Sequence, residues 1–185
     1  MFSCKINSDI NLRILETRHA EQLFSLTDCN RAYLREWLPW LDSTKSVEDT
    51  LAFIRSALQQ FALNNGFQAG IWYQEKLAGA IGFHCIDWPN LATSLGYWLA
   101  KNLQGNGIVT QSCQALLNHA FFELKLHRVE IRCAVENSKS RRIPERLGFK
   151  NEGTVRGAER LYEKYVDNVI YGMLADEWAA AKNRC

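Results

Sequence analysis

Tyr97-Trp98-Leu99-Ala100 reads as an apolar strand, and Lys101 to Gln104 carries it into Gly105-Asn106-Gly107 before Ile108 and Val109 open a helix. Glycine has no Cβ, so Gly105 and Gly107 can take positive φ and let a ligand approach the backbone amides. Val109, Cys113, Leu116, Leu117, Ala120, Phe121 and Leu124 follow at helical spacing, which places the helix N-terminus at the glycines. Beyond that helix Arg128 to Glu136 alternates, with Val129, Ile131, Cys133 and Val135 on one face and Arg128, Glu130, Arg132 and Ala134 on the other. A strand reached by a helical crossover lies parallel to the one before it. This stretch commits the chain to an α/β fold with a parallel strand pair at its centre.

The first amides of a helix have no partners within it, and the helix dipole adds partial positive charge there. A strand, a glycine turn and a helix start thus make a natural seat for an anion such as pyrophosphate. The same pattern also serves a plain connection that uses glycine to turn.

The rest of the chain builds around this unit. Leu12 to Leu15 is a short strand, and Thr17 can cap a helix that buries Ala20, Leu23, Phe24 and Leu26. In Tyr33 to Asp42, Pro39 breaks the segment between Trp37 and Trp40, whose indoles suit either a pocket wall or a cover over the core. Ser46 and Asp49 form a capping box for a helix buried along Val47, Leu51, Ile54, Leu58, Phe61 and Ala62. Three strands follow in an antiparallel meander, Phe67 to Tyr73, Leu77 to Ile86 and Ser94 to Ala100, with Gly79 and Gly82 marking a bulge or a close approach. After Glu136, Asn137 to Ser140 caps a helix ending at Gly148, and Pro144 predicts that it is short or becomes regular only near Arg142. Phe149 to Arg156 and Tyr165 to Leu174 are strands joined across Gly157 to Lys164, and a helical turn or two follows from Ala175. No repeat, linker or low-complexity tract interrupts residues 1–185, so one domain is expected.

Composition excludes several functions. A formal charge of +2 with interspersed signs argues against direct nucleic-acid binding. Cys4, Cys29, Cys85, Cys113, Cys133 and Cys185 lack paired spacing and read as reduced thiols at core positions, giving no metal site and a cytoplasmic setting. Without a leader or a long apolar run, no membrane association is expected.

The order of parts resembles the GNAT superfamily of acyl-CoA-dependent N-acetyltransferases, in particular the RimJ/RimL-like ribosomal-protein N-terminal acetyltransferases. Gln104-Gly105-Asn106-Gly107-Ile108-Val109 is similar to the (Gln/Arg)-x-x-Gly-x-(Gly/Ala) pyrophosphate loop, with Val109 in place of the small last residue. Asn137-Ser138-Lys139-Ser140, leading to Leu147-Gly148-Phe149, resembles the Asn-x-x-Ser segment and its Leu-Gly-Phe ending. Arg35-Glu36-Trp37-Leu38-Pro39-Trp40-Leu41 is typical of the RimJ/RimL-like group.

The resemblance implies a mixed, mostly antiparallel sheet flanked by helices, its parallel strands splayed around the pyrophosphate-loop helix, and acetyl-CoA as cosubstrate with no metal. It implies that the amides of Gln104 through Val109 hold the pyrophosphate; Lys101, Lys139 and Arg142 are nearby cations, read either as partners of the 3′-phosphate or, taken one by one, as solvated surface charge. An amide near Trp98 or Leu99 would meet the oxyanion, Asn137 the pantetheine arm, and Ser140 the departing thiol. Glu159 matches the glutamate proposed as base, with an ion pair to Arg156 or Arg160 as its other reading. His84 is a second base candidate beside Trp37 and Trp40 at the acceptor, and a water chain is a third route for the proton. The implied acceptor is a protein N-terminal α-amine, attacked directly in a ternary complex. The alternatives are a small amine of polyamine or aminoglycoside type, or a non-catalytic acyl-CoA-binding module. Related enzymes are often dimers, and the six tryptophans suit an interface.

Overall fold

The structure, a computed structural model, describes residues 3–182. Eight strands form one mixed sheet: β1 (Ser3–Lys5), β2 (Ile10–Ile14), β3 (Phe67–Tyr73), β4 (Lys76–Phe83), β5 (Ala92–Leu99), β6 (Arg128–Ala134), β7 (Lys150–Leu161) and β8 (Lys164–Leu174), in the order β1-β2-β3-β4-β5-β6-β8-β7. The β5–β6 pair is parallel, as the crossover requires, while the pairs β3–β4 and β4–β5 are the expected antiparallel meander. Gln74 and Glu75 turn β3 into β4 with positive φ at both positions, which matches the twist of a hairpin. β4 ends at Phe83, short of Ile86, and a register shift opposite Ile71 and Trp72 falls next to Gly79.

The helices are α1 (Ala20–Cys29), α2 (Arg31–Leu34), α3 (Val47–Ala62), α4 (Ile108–Asn118), α5 (Ser138–Arg146) and α6 (Ala175–Lys182). The capping box on α3 is present, Asp49 N donating to Ser46 Oγ at 3.3 Å and Ser46 N to Asp49 Oδ2 at 2.9 Å. Thr17 does not cap α1. It starts a 3-10 turn, Thr17–His19, whose N-cap is Glu16, because the Glu16 amide finds its acceptor in His19 Nδ1 at 3.0 Å. Pro144 does not delay α5 either: Asn137 caps the helix at Ser138 and the proline sits inside it.

The larger core lies between the sheet and the helices, joining Leu12, Ile71, Ile81, Phe83, Leu116, Leu117, Ile131 and Tyr171, and a smaller one joins Leu15, Leu23, Ile54, Trp72 and Leu77 under α1 and α3. Cys113 and Cys133 are buried as expected, whereas Cys29 and Cys85 are exposed, since both stand where the chain leaves an element. Cys4, Cys29, Cys85, Cys113 and Cys133 are free thiols, and Cys185 lies outside the described residues.

The segment 157–164, expected as a connection, is mostly strand. Between the pairs Val155–Asn168 and Glu159–Val166, β7 advances four residues while β8 advances two, so β7 carries a bulge there. Gly157 sits in it at φ +57 and donates its N–H to Asp167 Oδ1 at 2.8 Å. A bulge re-aims the side chain that follows it, here Glu159.

Candidate active site

The parallel ladder between β5 and β6 runs only from Ala92–Arg128 to Ser94–Glu130, and beyond Ser94 the strands part. Backbone parity determines which groups face the opening. Ser94 O accepts from His84 N and Ala100 N donates to Ala78 O, so the even-numbered residues of β5 aim their polar groups at the β4 side. The amides of Tyr97 and Leu99 therefore point into the gap, and that of Trp98 does not.

A cavity of about 490 Å³ opens on one side of this gap, lined by Leu99, Gln104, Gly105, Gly107, Ile108, Val109, Asn137 and Ser140 among others. Gly105 at φ +84 and Gly107 at φ +71 adopt the left-handed conformation that the sequence anticipated. Gly107 is the N-cap of α4 with no side chain to bond the first amides, which leaves them for an anion. Val109 packs partly against the core while also lining the cavity. Asn106 does not line the cavity, because its amide nitrogen closes the turn on Leu103 O at 3.1 Å.

Among the described residues three cations, Lys139, Arg142 and Arg146, line this cavity and no carboxylate does. Lys139 Nζ donates to Gln104 Oε1 at 3.2 Å, and Arg146 donates to Thr110 Oγ1 at 3.0 Å. Lys101 stands outside, as the strand turns away before α4. The donor set fits the diphosphate of a coenzyme A ester: open helix amides, cations and no competing negative charge.

A second cavity of about 820 Å³ shares Trp37, Leu38, Tyr97, Trp98, Asn137 and Ser140 with the first, and adds Trp40, Phe53, His84 and Glu159. At the shared wall Asn137 Oδ1 accepts from Ser140 N at 3.1 Å, so it caps α5 as its residue type allows, and its amide nitrogen is not used in that bond. Ser140 Oγ donates to the Tyr97 hydroxyl at 3.3 Å and lies 3.3 Å from Cys133 Sγ. Burial pushes the phenol of Tyr97 well above its ordinary range and raises the Cys133 thiol, so both keep their protons at neutral pH.

Glu159 turns into this second cavity, where Asn168 Nδ2 donates to its Oε2 at 3.4 Å. It makes no ion pair with Arg156 or Arg160 among the described residues, and Arg160 instead meets Tyr162 O and Glu163. The His84 ring rests over Gly96, where a Cβ would come within 2.7 Å of the imidazole. Its Nδ1 shares a proton with Ser94 Oγ at 2.9 Å, and desolvation, with Arg132 adding repulsion, lowers its pKa. Trp40 is 41% exposed and Phe53 47%, leaving two large rings on the wall of this cavity.

With this geometry in place, comparison with known proteins identifies the chain. Residues 9–150 match the acetyltransferase (GNAT) domain. YdaF of Bacillus subtilis strain 168, a candidate ribosomal N-acetyltransferase by name, is 39% identical over 98% of this chain and 100% of its own. The ribosomal-protein-serine acetyltransferase of Escherichia coli K12 is 30% identical over 93% of this chain and 96% of its own. The structure of RimL, a ribosomal L7/L12 α-N-protein acetyltransferase in complex with coenzyme A, superposes at a TM-score of 0.92, with 30% identity over 95% of this chain and 99% of that one. The chain belongs to the GNAT acetyltransferase family. It is an acetyl-CoA-dependent N-acetyltransferase of the ribosomal-protein acetyltransferase type.

Sequence reasoning missed Tyr97, Arg146, Phe53 and Asn168. Tyr97 read as one more apolar strand residue, and only the position of Pro144, four residues after Ser140, hinted that a carbonyl there needs an outside donor. Arg146 lies two turns beyond Lys139 on α5, where helical spacing could have found it.

Proposed function

We propose that the chain acetylates the N-terminal α-amine of a protein, ribosomal proteins being the model for the acceptor, by direct attack in a ternary complex. The observation that carries this reading is a pair of cavities of opposite character meeting in the β5–β6 gap. One is lined by cations and open helix amides; the other carries the carboxylates of Asp49 and Glu159 beside Arg132, a setting suited to an ammonium group. The names of the relatives support the acceptor class.

The thioester supplies an activated acyl carbon with a good leaving group. Gln104, Gly105, Gly107, Ile108 and Val109 hold the pyrophosphate through backbone amides, with Lys139, Arg142 and Arg146 facing the phosphates. The Leu99 amide meets the developing oxyanion, because its N–H points into the gap. Asn137, with its amide nitrogen beside the shared wall, takes the pantetheine arm. Glu159 receives the ammonium proton. Ser140, held at the shared wall, donates to the departing sulfur.

His84 lies in the same cavity, and its lowered pKa keeps it neutral at physiological pH, but Ser94 and Gly96 hold it against β5. Glu159 is therefore the better placed base, re-aimed by its own bulge. A thiol-release assay tests the acceptor assignment with peptides of varied first residue alongside spermidine and an aminoglycoside. Turnover of peptides beginning with a free α-amine is expected. Reaction of the small amines alone would assign a different acceptor.

A further inference from the structure

We propose that Asn168 is an acceptor-binding residue, its side-chain oxygen holding one N–H of the incoming amine while Glu159 takes a proton from another. The inference rests on the reading of Glu159 as the base. Asn168 lies on β8 and is paired on both flanks, with Ala134 of β6 and Val155 of β7, so its backbone is fixed by two ladders. The residue is 7% exposed yet lines the second cavity.

The orientation of the amide follows from chemistry. An ionised carboxylate only accepts hydrogen bonds, so the group that Asn168 turns to Glu159 Oε2 is its Nδ2, at 3.4 Å. That leaves Oδ1 as an acceptor with no donor among the described residues. A buried polar atom without a partner is costly, and its persistence beside a carboxylate calls for a ligand that donates.

Two oxygen acceptors side by side, one charged and one neutral, match a group carrying several N–H bonds. A primary ammonium has three. One proton passes to the Glu159 carboxylate, a second N–H stays on Asn168 Oδ1, and the freed lone pair is held in one direction for attack on the acyl carbon. As the N–C bond forms, the C–S bond breaks with its electron pair on sulfur. The third nitrogen proton passes to Ser140 Oγ as that hydroxyl gives its own proton to the sulfur, so Ser140 ends as it began and the product amide keeps the N–H held by Asn168. A hydroxyl or thiol acceptor, with one hydrogen to give, could satisfy only one of the two oxygens.

The test measures steady-state kinetics with a serine-initiated peptide for the wild type, Asn168→Ala, Asn168→Asp and Glu159→Gln, with melting temperature and acetyl-CoA KM as controls for folding. Asn168→Ala is expected to raise the peptide KM about tenfold, the value of one well-placed hydrogen bond, with acetyl-CoA KM unchanged. Asn168→Asp keeps an oxygen at the same place but sets a second carboxylate against Glu159, so it is read at alkaline pH, where both are ionised and peptide KM is expected within about threefold of wild type. Damage to the fold alone would lower the active fraction, and hence kcat, without this KM pattern. An unchanged peptide KM in Asn168→Ala, or an Asp variant as impaired as the Ala variant, overturns the proposal. Normal kcat in Glu159→Gln overturns the base assignment while the Asn168 result stands on its own. Failure of the wild type to turn over the peptide overturns the acceptor assignment and this clamp together.

Discussion

The Tyr97 hydroxyl donates to the carbonyl oxygen of Ser140 at 3.1 Å, joining β5 to α5 across the gap between the parallel strands. That carbonyl is available because the residue four positions on is Pro144, which has no N–H to complete the helical bond. The same phenol accepts from Ser140 Oγ at 3.3 Å, so one side chain bonds both the backbone and the hydroxyl of Ser140. The proline that seemed a defect in the helix thus creates the acceptor that positions the serine.

Tyr97→Phe removes this brace while keeping the ring. It is expected to lower kcat several-fold with little change in acetyl-CoA KM, and to destabilise the fold by about 1 kcal/mol for the lost hydrogen bonds. Ser140→Ala should lower kcat further, toward the ~10²-fold loss usual for a proton-transfer group. Equal kcat in wild type and Tyr97→Phe would show that Ser140 needs no such support.

Gly157 makes a sharper test of the bulge than Glu159 itself. Its φ of +57 is unfavourable for a β-branched residue, and no atom crowds the place where a Cβ would stand, so Gly157→Val acts through the backbone alone. The strain of about 1–2 kcal/mol should relax the bulge and withdraw Glu159. A fall in kcat comparable to that of Glu159→Gln is expected, at unchanged acetyl-CoA affinity by calorimetry.

At the other end of the site, Gly107→Val should weaken acetyl-CoA binding more than tenfold without unfolding the chain, an effect of about 1.4 kcal/mol or more. The position is open, its nearest atom being Gln111 Nε2 at 3.5 Å from an added Cβ, so the harm comes from φ +71 and from a side chain beside the helix amides. Normal affinity in a calorimetric titration would remove these amides from the phosphate site.

His84 adds a pH dependence to stability. Its pKa is lowered in the folded chain, by desolvation and then by Arg132, so the folded state prefers the neutral ring. The unfolded chain binds the proton more readily, and stability falls as pH drops below the ordinary histidine value near 6.5, levelling off once the folded ring protonates as well. His84→Gln should flatten the decline in melting temperature between pH 7.5 and pH 5. Part of the slope should persist, because the His19 pKa is lowered too, by desolvation and Arg18.

The glycine turn that opens α4 was legible in the sequence because its chemistry is local: two glycines, a helix start and their spacing lie within a few residues of one another. The meander and the parallel crossover were legible for the same reason, through turn length and alternation. The second cavity was legible only in part: Trp37, Trp40, His84 and Glu159, named through the family resemblance, all line it, but what brings them together was not. Glu159 reaches its cavity only through a bulge whose existence depends on the pairing of β7 with β8, and Gly157 read as a link. Asn168 gains its meaning from a carboxylate on the neighbouring strand. Thr17 failed as a cap because Glu16 and His19 outcompeted it for the same amides, a contest between residues that all have capping chemistry.

Acetyl transfer to an α-amine is tested most directly by incubating the protein with acetyl-CoA and a serine-initiated peptide that also contains lysine, then fragmenting the product in a mass spectrometer while counting released thiol. One acetyl group on the N-terminal nitrogen for each thiol released is the expected result. Acetyl-CoA binding without thiol release, or acetyl groups on the lysine side chain with a free N-terminus, would contradict it.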